Sequence, residues 1–187
     1  MDYPLRVSLC GMGGQGIILA AVIIGTTAVT KNGLYATQTQ SYGSEARGGQ
    51  CQAELIMDTK PINSPICEEN DILISLFQAA YDKYISSLRE DGILIFDPDL
   101  VTELSKDVKS SYALPATKIA TALGNRTSAN MVVLGYIAGL FDFFTKEQLV
   151  DTVQAETNPK FLEVNLKAID AGYSYAKKHA EEHNGSL

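Results

Sequence analysis

Residues 5–26, LRVSLCGMGGQGIILAAVIIGT, decide the fold. Leu5, Val7 and Leu9 alternate with polar or small residues, and Gly11 breaks the run, so Leu5–Gly11 reads as a strand. MGGQG is a tight turn. The apolar run behind it, from about Gln15 to Thr30, reads as a buried helix, with Gly33 in KNG as its stop. The run is too short before polar residues return to make a convincing membrane span, and it starts from a glycine turn.

A strand, a Gly-rich turn and an apolar helix in that order look like the opening of a dinucleotide-binding unit. Gly11, Gly13 and Gly16 fit the G-x-G-x-x-G spacing, with Gly14 and Gln15 between them. Free N–H groups at a helix start attract anions. A dinucleotide site also needs an acid about twenty residues later, and TKNGLYATQTQ holds no Asp or Glu. NAD binding is therefore disfavoured. A stand-alone nucleotide-binding protein or nucleotide-dependent enzyme stays open as the alternative function, and so does a turn that only reverses the chain.

Downstream, SYGSEARGGQ (41–50) sets Glu45 and Arg47 among Gly43, Gly48 and Gly49. Glycines there permit backbone angles closed to other residues. Arg47 can grip a carboxylate or phosphate as a fork, with Glu45 orienting it. An internal Glu45–Arg47 ion pair explains the same residues without a ligand. If this loop shares a sheet end with Gly11–Gly16, the two form one anion-binding or docking rim.

The remaining pattern alternates strands and helices. YATQTQSYG is extended. QCQAELIMD reads as a half-buried strand near a sheet edge, able to run antiparallel. DILISLF and GILIFDP are strands, AAYDKYISSLRE a helix between them, and SYALPA a last short strand. The final third is helical: ATKIATALGN, TSANMVVLGYIAGLF, TKEQLVDTVQAE with a Thr145–Gln148 capping box, and a long helix from Asn158 and Pro159. The expected fold is a three-layer α/β/α, Rossmann-like domain spanning 1–187, with a mostly parallel or mixed sheet.

A chain of 187 residues can bury one good core, and 45% hydrophobic with 20% charged residues is ordinary for a soluble protein. The net charge of −7 argues against nucleic acid as a partner. MDYPLRVSLCG shows no secretory signal, so the expectation is a cytoplasmic protein with no membrane partner. Cys10, Cys51 and Cys67 lie far apart with no CxxC, which reads as reduced thiols and no metal site. No catalytic triad stands out. Asp97 and Asp99 flank Pro98 at a strand end and read as a turn. His179 and His183, four apart on the last helix, read as solvated and not as metal ligands. Asn130 either caps a backbone or faces a partner. Tyr136, Phe141, Phe143 and Phe144 read as core packing, and Tyr81 and Tyr84 as core-edge residues.

Three motifs together resemble the gamma subunit of 2-oxoacid:ferredoxin oxidoreductases, a module also fused into larger pyruvate:ferredoxin oxidoreductases. They are GMGGQG, carrying Gly11, Gly13, Gly14, Gln15 and Gly16; the Tyr-Gly-x-Glu-x-Arg-Gly-Gly segment, on Tyr42, Gly43, Glu45, Arg47, Gly48 and Gly49; and the helix with Asn130, Leu134 and Gly135. NLKAIDAGY matches the closing helix through Asn165, Ala168 and Gly172. The likeness runs from about Val7 to Ala171. Ser44 departs from the pattern, where proline is commoner, which loosens the loop and removes no charge.

The resemblance implies a non-catalytic subunit, inactive alone, in a complex that decarboxylates a 2-oxoacid on thiamine diphosphate and magnesium. The acyl group passes to coenzyme A, and electrons leave through iron–sulfur clusters to ferredoxin. It implies alpha and beta subunits and a ferredoxin-like subunit as partners, and no cofactor held by this chain itself. Gly11, Gly13, Gly14, Gln15, Gly16, Tyr42, Gly43, Glu45, Arg47, Gly48, Gly49 and Asn130 are then the candidate interface or coenzyme A-access residues. The isolated chain is open to homodimerisation through a face that a partner normally covers. Which 2-oxoacid is used stays open, since selectivity would lie in the partners.

Overall fold

The computed structural model describes residues 3–43, 49–104 and 108–184. The chain forms two compact units, one up to Pro115 and one from Ala116.

The first unit is built on a six-stranded sheet. Its strands are β1 (Leu5–Met12), β2 (Tyr35–Tyr42), β3 (Gln50–Asp58), β4 (Asn70–Ser75), β5 (Leu88–Phe96) and β6 (Ser110–Ala113). Their order is β2-β3-β1-β4-β5-β6. β1, β4, β5 and β6 run parallel, and β3 runs antiparallel to both β1 and β2. The sheet is therefore mixed, with QCQAELIMD as its one reversed strand, second from an edge.

Helix α1 (Ile17–Asn32) and helix α2 (Gln78–Tyr84) cover opposite faces of this sheet. Register pairs Leu9 with Ala53 and Val7 with Leu55, which puts these side chains on one face. Gly25 of α1 backs onto that face, where an added Cβ would lie 3.1 Å from Leu55. Cys10, Leu73 and Leu94 point the other way and pack with Ala80 and Tyr81 of α2. Tyr81 is fully buried and Tyr84 borders the same cluster. Helix, sheet and helix make three layers, as alternation of strand and helix in the sequence implies.

Boundaries shift where backbone pairing overrides local pattern. β1 continues through Gly11 to Met12, because both pair with β3, at Cys51 and Gln50. α1 starts at Ile17 and not Gln15, because Gly16 takes a left-handed conformation (φ 72°). Gly33 ends it, also left-handed, its N–H donating to the carbonyls of Ala28 and Val29. The largest difference is in AAYDKYISSLRE: the helix stops at Tyr84, one tight turn follows, and Leu88–Glu90 begin β5. Leu88 pairs with Asn70, ahead of extra residues in β5 before Ile93 pairs with Ile72, so sheet pairing captures Leu88, whose propensity is helical. β3 is also more buried than alternation suggests, with Gln52 and Ile56 covered on its second face.

The second unit holds α3 (Ala116–Ala122), α4 (Ala129–Leu140), α5 (Lys146–Glu156) and α6 (Leu162–Asn184). Every residue of α4 from Ala129 to Gly139 is buried. α4 and α6 meet backbone to backbone through Gly135 and Gly172. A Cβ on Gly135 would sit on the carbonyl of Ile169, and one on Gly172 on the carbonyl of Val132. Thr145 and Gln148 form the expected capping box of α5, and the Asn158 side chain accepts from Lys160 N–H at 2.9 Å.

Candidate functional site

The glycine turn closes on itself through Gln15. Its Oε1 accepts from the N–H of Met12 at 2.6 Å, and its Nε2 donates to the carbonyl of Leu76 at 2.8 Å, just past β4. The Gln15 N–H donates to the carbonyl of Met12 at 3.1 Å. Gly11 leaves room for this arrangement: a Cβ there would lie 2.5 Å from Gln15 Oε1 and 2.9 Å from Ile17 Cδ1. Gly14, at φ 95°, supplies the left-handed step that turns the chain.

The second loop meets this turn. Gly13 N–H donates to the carbonyl of Gly49 at 2.9 Å, and Gly43 N–H donates to the carbonyl of Gln50 at 2.6 Å. Gly11, Gly13, Gly14, Gln15 and Gly16 therefore share one sheet end with Tyr42, Gly43 and Gly49. This is the end where the parallel strands β1 and β4 finish, the usual side for ligands in α/β sheets. Gly13 and Gly14 are exposed there, and so is Tyr42. Glu45, Arg47 and Gly48, with Ser44, lie outside the described residues.

The same geometry weighs against a dinucleotide site. The N–H groups of Met12, Gly13 and Gln15, which would face a pyrophosphate, are all spent within the chain. The strand paired with β1 on the loop side is the reversed β3, so no parallel strand ends there to carry a ribose-binding acid.

Asn130 belongs to the second unit, at the first turn of α4. It is buried, and its Oδ1 accepts from Met131 N–H at 3.0 Å. Near it Asn125 Nδ2 donates to Ser128 Oγ at 3.0 Å, and Ser128 Oγ donates to Asn165 Oδ1 at 3.2 Å. Asn165 thus ties α6 to the start of α4. Gly135, Ala168 and Gly172 are fully explained by the helix crossing.

Asp97 is buried and shapes the turn after β5: its Oδ1 accepts from Asp99 N–H at 3.1 Å, and its carbonyl accepts from Leu100 and Val101. His179 differs from the solvated histidine expected. It is half-buried, with Nδ1 2.8 Å from the hydroxyl of the fully buried Tyr136, and it packs on Tyr175. Helical spacing brings these rings together, and spacing alone did not disclose the buried phenol opposite. The His183 side chain lies outside the described residues. Phe141 stacks on Phe143 at 4.9 Å, and Phe141 and Phe144 are buried.

Among the described residues no group of three or more His, Cys, Asp or Glu could hold a metal ion. None of the three cysteines is in a disulfide. Burial pushes Cys10 up to about 12, and burial followed by the nearby Glu54 pushes Cys67 up to about 11. A polar row escaped the sequence reading: Thr39 Oγ1 donates to Glu54 at 3.4 Å, and Gln52 Nε2 donates to Ser8 at 3.0 Å and to Glu54 at 3.4 Å. Only the register of three strands reveals it. No helix among the described residues is long and apolar enough to cross a membrane.

Comparison with known proteins adds a second line. The family described as pyruvate ferredoxin/flavodoxin oxidoreductase matches residues 6–175. The 2-oxoglutarate synthase subunit KorC of Methanocaldococcus jannaschii is 39% identical over 176 residues, 92% of this chain and 94% of that one. The ketoisovalerate oxidoreductase subunit VorA of Methanothermobacter marburgensis is 27% identical across 95% of this chain, which corresponds to 37% of that longer protein. Among solved structures, a keto/oxoacid ferredoxin oxidoreductase gamma subunit from Geobacter sulfurreducens superposes with TM-score 0.81 at 36% identity, covering 92% of this chain and 98% of that one.

Proposed function

The chain belongs to the pyruvate ferredoxin/flavodoxin oxidoreductase family, and from that premise we propose that residues 1–187 are one gamma-type subunit of a 2-oxoacid:ferredoxin oxidoreductase. In this reading the complex converts a 2-oxoacid, coenzyme A and oxidised ferredoxin to acyl-coenzyme A, carbon dioxide and reduced ferredoxin. The chain itself carries no catalytic residue. Its partners are alpha and beta subunits and a ferredoxin-like subunit, and it works in the cytoplasm.

The observation that carries the reading is the hydrogen bond from Gly13 to Gly49, which makes one rim of two loops. With the N–H groups of Met12, Gly13 and Gln15 engaged within the chain, the turn offers a phosphate fewer donors, which favours another polypeptide as what it meets. Arg47, four positions after Gly43 in the sequence and outside the described residues, is in this reading the cation that meets an acidic partner surface or coenzyme A. Thiamine diphosphate, magnesium and iron–sulfur clusters are assigned to the other subunits.

Coexpression with the candidate alpha, beta and ferredoxin-like subunits tests the proposal. The chain should copurify with them, and coenzyme A-dependent reduction of ferredoxin by one of a panel of 2-oxoacids should require all subunits. Full activity without this chain, or tight NAD binding by the chain alone, would overturn it in favour of a nucleotide-binding protein.

A further inference from the structure

The two edges of the sheet are finished differently. β6 is four residues long, preceded by Lys109, with Pro115 two positions past its end. Short length, charge and proline are the devices that keep an edge strand from pairing with another chain. β2 has none of them. It is eight residues of YATQTQSY, with no charge, proline or glycine, and it pairs with β3 without a bulge. Its far side has no strand neighbour among the described residues. Tyr35 and Tyr42 at its ends are 48% and 64% exposed.

Beside this edge runs an apolar groove of about 390 Å3, lined by Val22, Gly25, Val29, Ala36 and Leu55. Val22, Thr26 and Val29 lie on one stripe of α1, uncharged and incompletely buried, with Val29 45% exposed. Ala36 faces α1, 3.8 Å from where a Cβ of Gly25 would be. Alternation places Gln38, Gln40 and Tyr42 on the same face.

We propose that β2 is a homodimer edge, pairing antiparallel with β2 of a second copy about a two-fold axis at Thr39. A dyad perpendicular to the sheet keeps each side chain on its own face, so the axis must pass through a residue pair and not between residues. Centring on Thr39 opposes Thr39 to its mate, Thr37 to Ser41, Gln38 to Gln40 and Ala36 to Tyr42. Thr–Thr and Thr–Ser pairs are favourable across strands, and no like charges meet. This register lays each exposed Tyr42 ring over the other copy's Ala36, at the mouth of the apolar groove. The same dyad leaves both α1 helices on one face, with their Val22–Thr26–Val29 stripes towards each other. The inference is argued from β2 and α1, and it shares one residue, Tyr42, with the rim described above.

Two double variants with equal numbers of new charges test the pairing in the full chain. Gln38→Lys/Gln40→Lys opposes lysine to lysine twice, and Gln38→Lys/Gln40→Glu opposes lysine to glutamate twice. Sedimentation velocity should find the wild type dimeric, the Lys/Lys variant weakened by roughly tenfold or more, and the Lys/Glu variant still dimeric. Far-UV circular dichroism should show all three folded. A monomeric wild type, or a dimer that responds alike to both variants, overturns the proposal. Loss of copurification with coexpressed subunits in the Lys/Lys variant, beside a monomeric wild type, would assign the edge to a different chain.

Discussion

Gly13 N–H and the carbonyl of Gly49 lie 2.9 Å apart, joining two loops that are thirty-six positions apart in the chain (49 − 13). Strand register brings them together, since Gly11 and Met12 pair with Cys51 and Gln50 one step before the contact. A functional rim at this point depends on both the turn and the loop keeping their shape.

Gln15 holds the turn, so Gln15→Ala should destabilise the chain. It leaves the Met12 N–H and the Leu76 carbonyl without their partner, a loss of about 1–3 kcal/mol. Gly11→Ala should act through the same contact by displacing Gln15, at a cost of about 1–3 kcal/mol. Urea denaturation of the two single variants and their double checks this. The double should lose less than the sum, because the two residues share the Gln15 contact, while the crowding of Ile17 by the new methyl remains.

Arg47→Ala should leave the melting temperature of the isolated chain unchanged and reduce either assembly or turnover of the reconstituted complex. Copurification yield and ferredoxin reduction separate those two effects. Unaltered assembly and kinetics would remove the loop from the functional surface.

Gly135→Ala and Gly172→Ala should each prevent normal folding of the second unit. The new methyl meets backbone and not a movable side chain. Losses beyond about 3 kcal/mol follow from overpacking that the helices can relieve only by separating. Soluble yield and thermal melting report it, with Ala138→Ser at a neighbouring position as a milder control.

Cysteine reactivity should follow burial. Cys10 and Cys51 are buried and raised by desolvation, and Cys67 is raised to about 11, so the native chain should react slowly with a thiol reagent at pH 8. In denaturant all three cysteines should react quickly. The unfolded thiols lose protons near their ordinary 9.0 while folded Cys10 holds its proton to about 12. The unfolded state therefore binds fewer protons between those values, and stability should fall as pH rises through that window. Substituting Cys10 with Ala should flatten the fall; an unchanged pH slope would count against it.

Local chemistry was enough to locate much of this. Gly33 stops α1, Thr145 and Gln148 cap α5, and the glycine spacing announces a strand–turn–helix, because each of these acts within a few residues. Leu88–Glu90 misled for the opposite reason. Their propensity is helical, and the pairing of Leu88 with Asn70, a contact outside any local window, starts β5 there.

Sequence by itself determined the α/β class, the family motifs and the candidate rim residues, since periodicity, caps and glycine spacing are properties of neighbouring positions. Tertiary structure alone decided that β3 is reversed, that Gln15 occupies the turn, that Gly13 meets Gly49, and that Tyr136 lies against His179. Each of those is a contact between residues distant in the chain. Its existence depends on register and on helix crossing, which no single segment encodes.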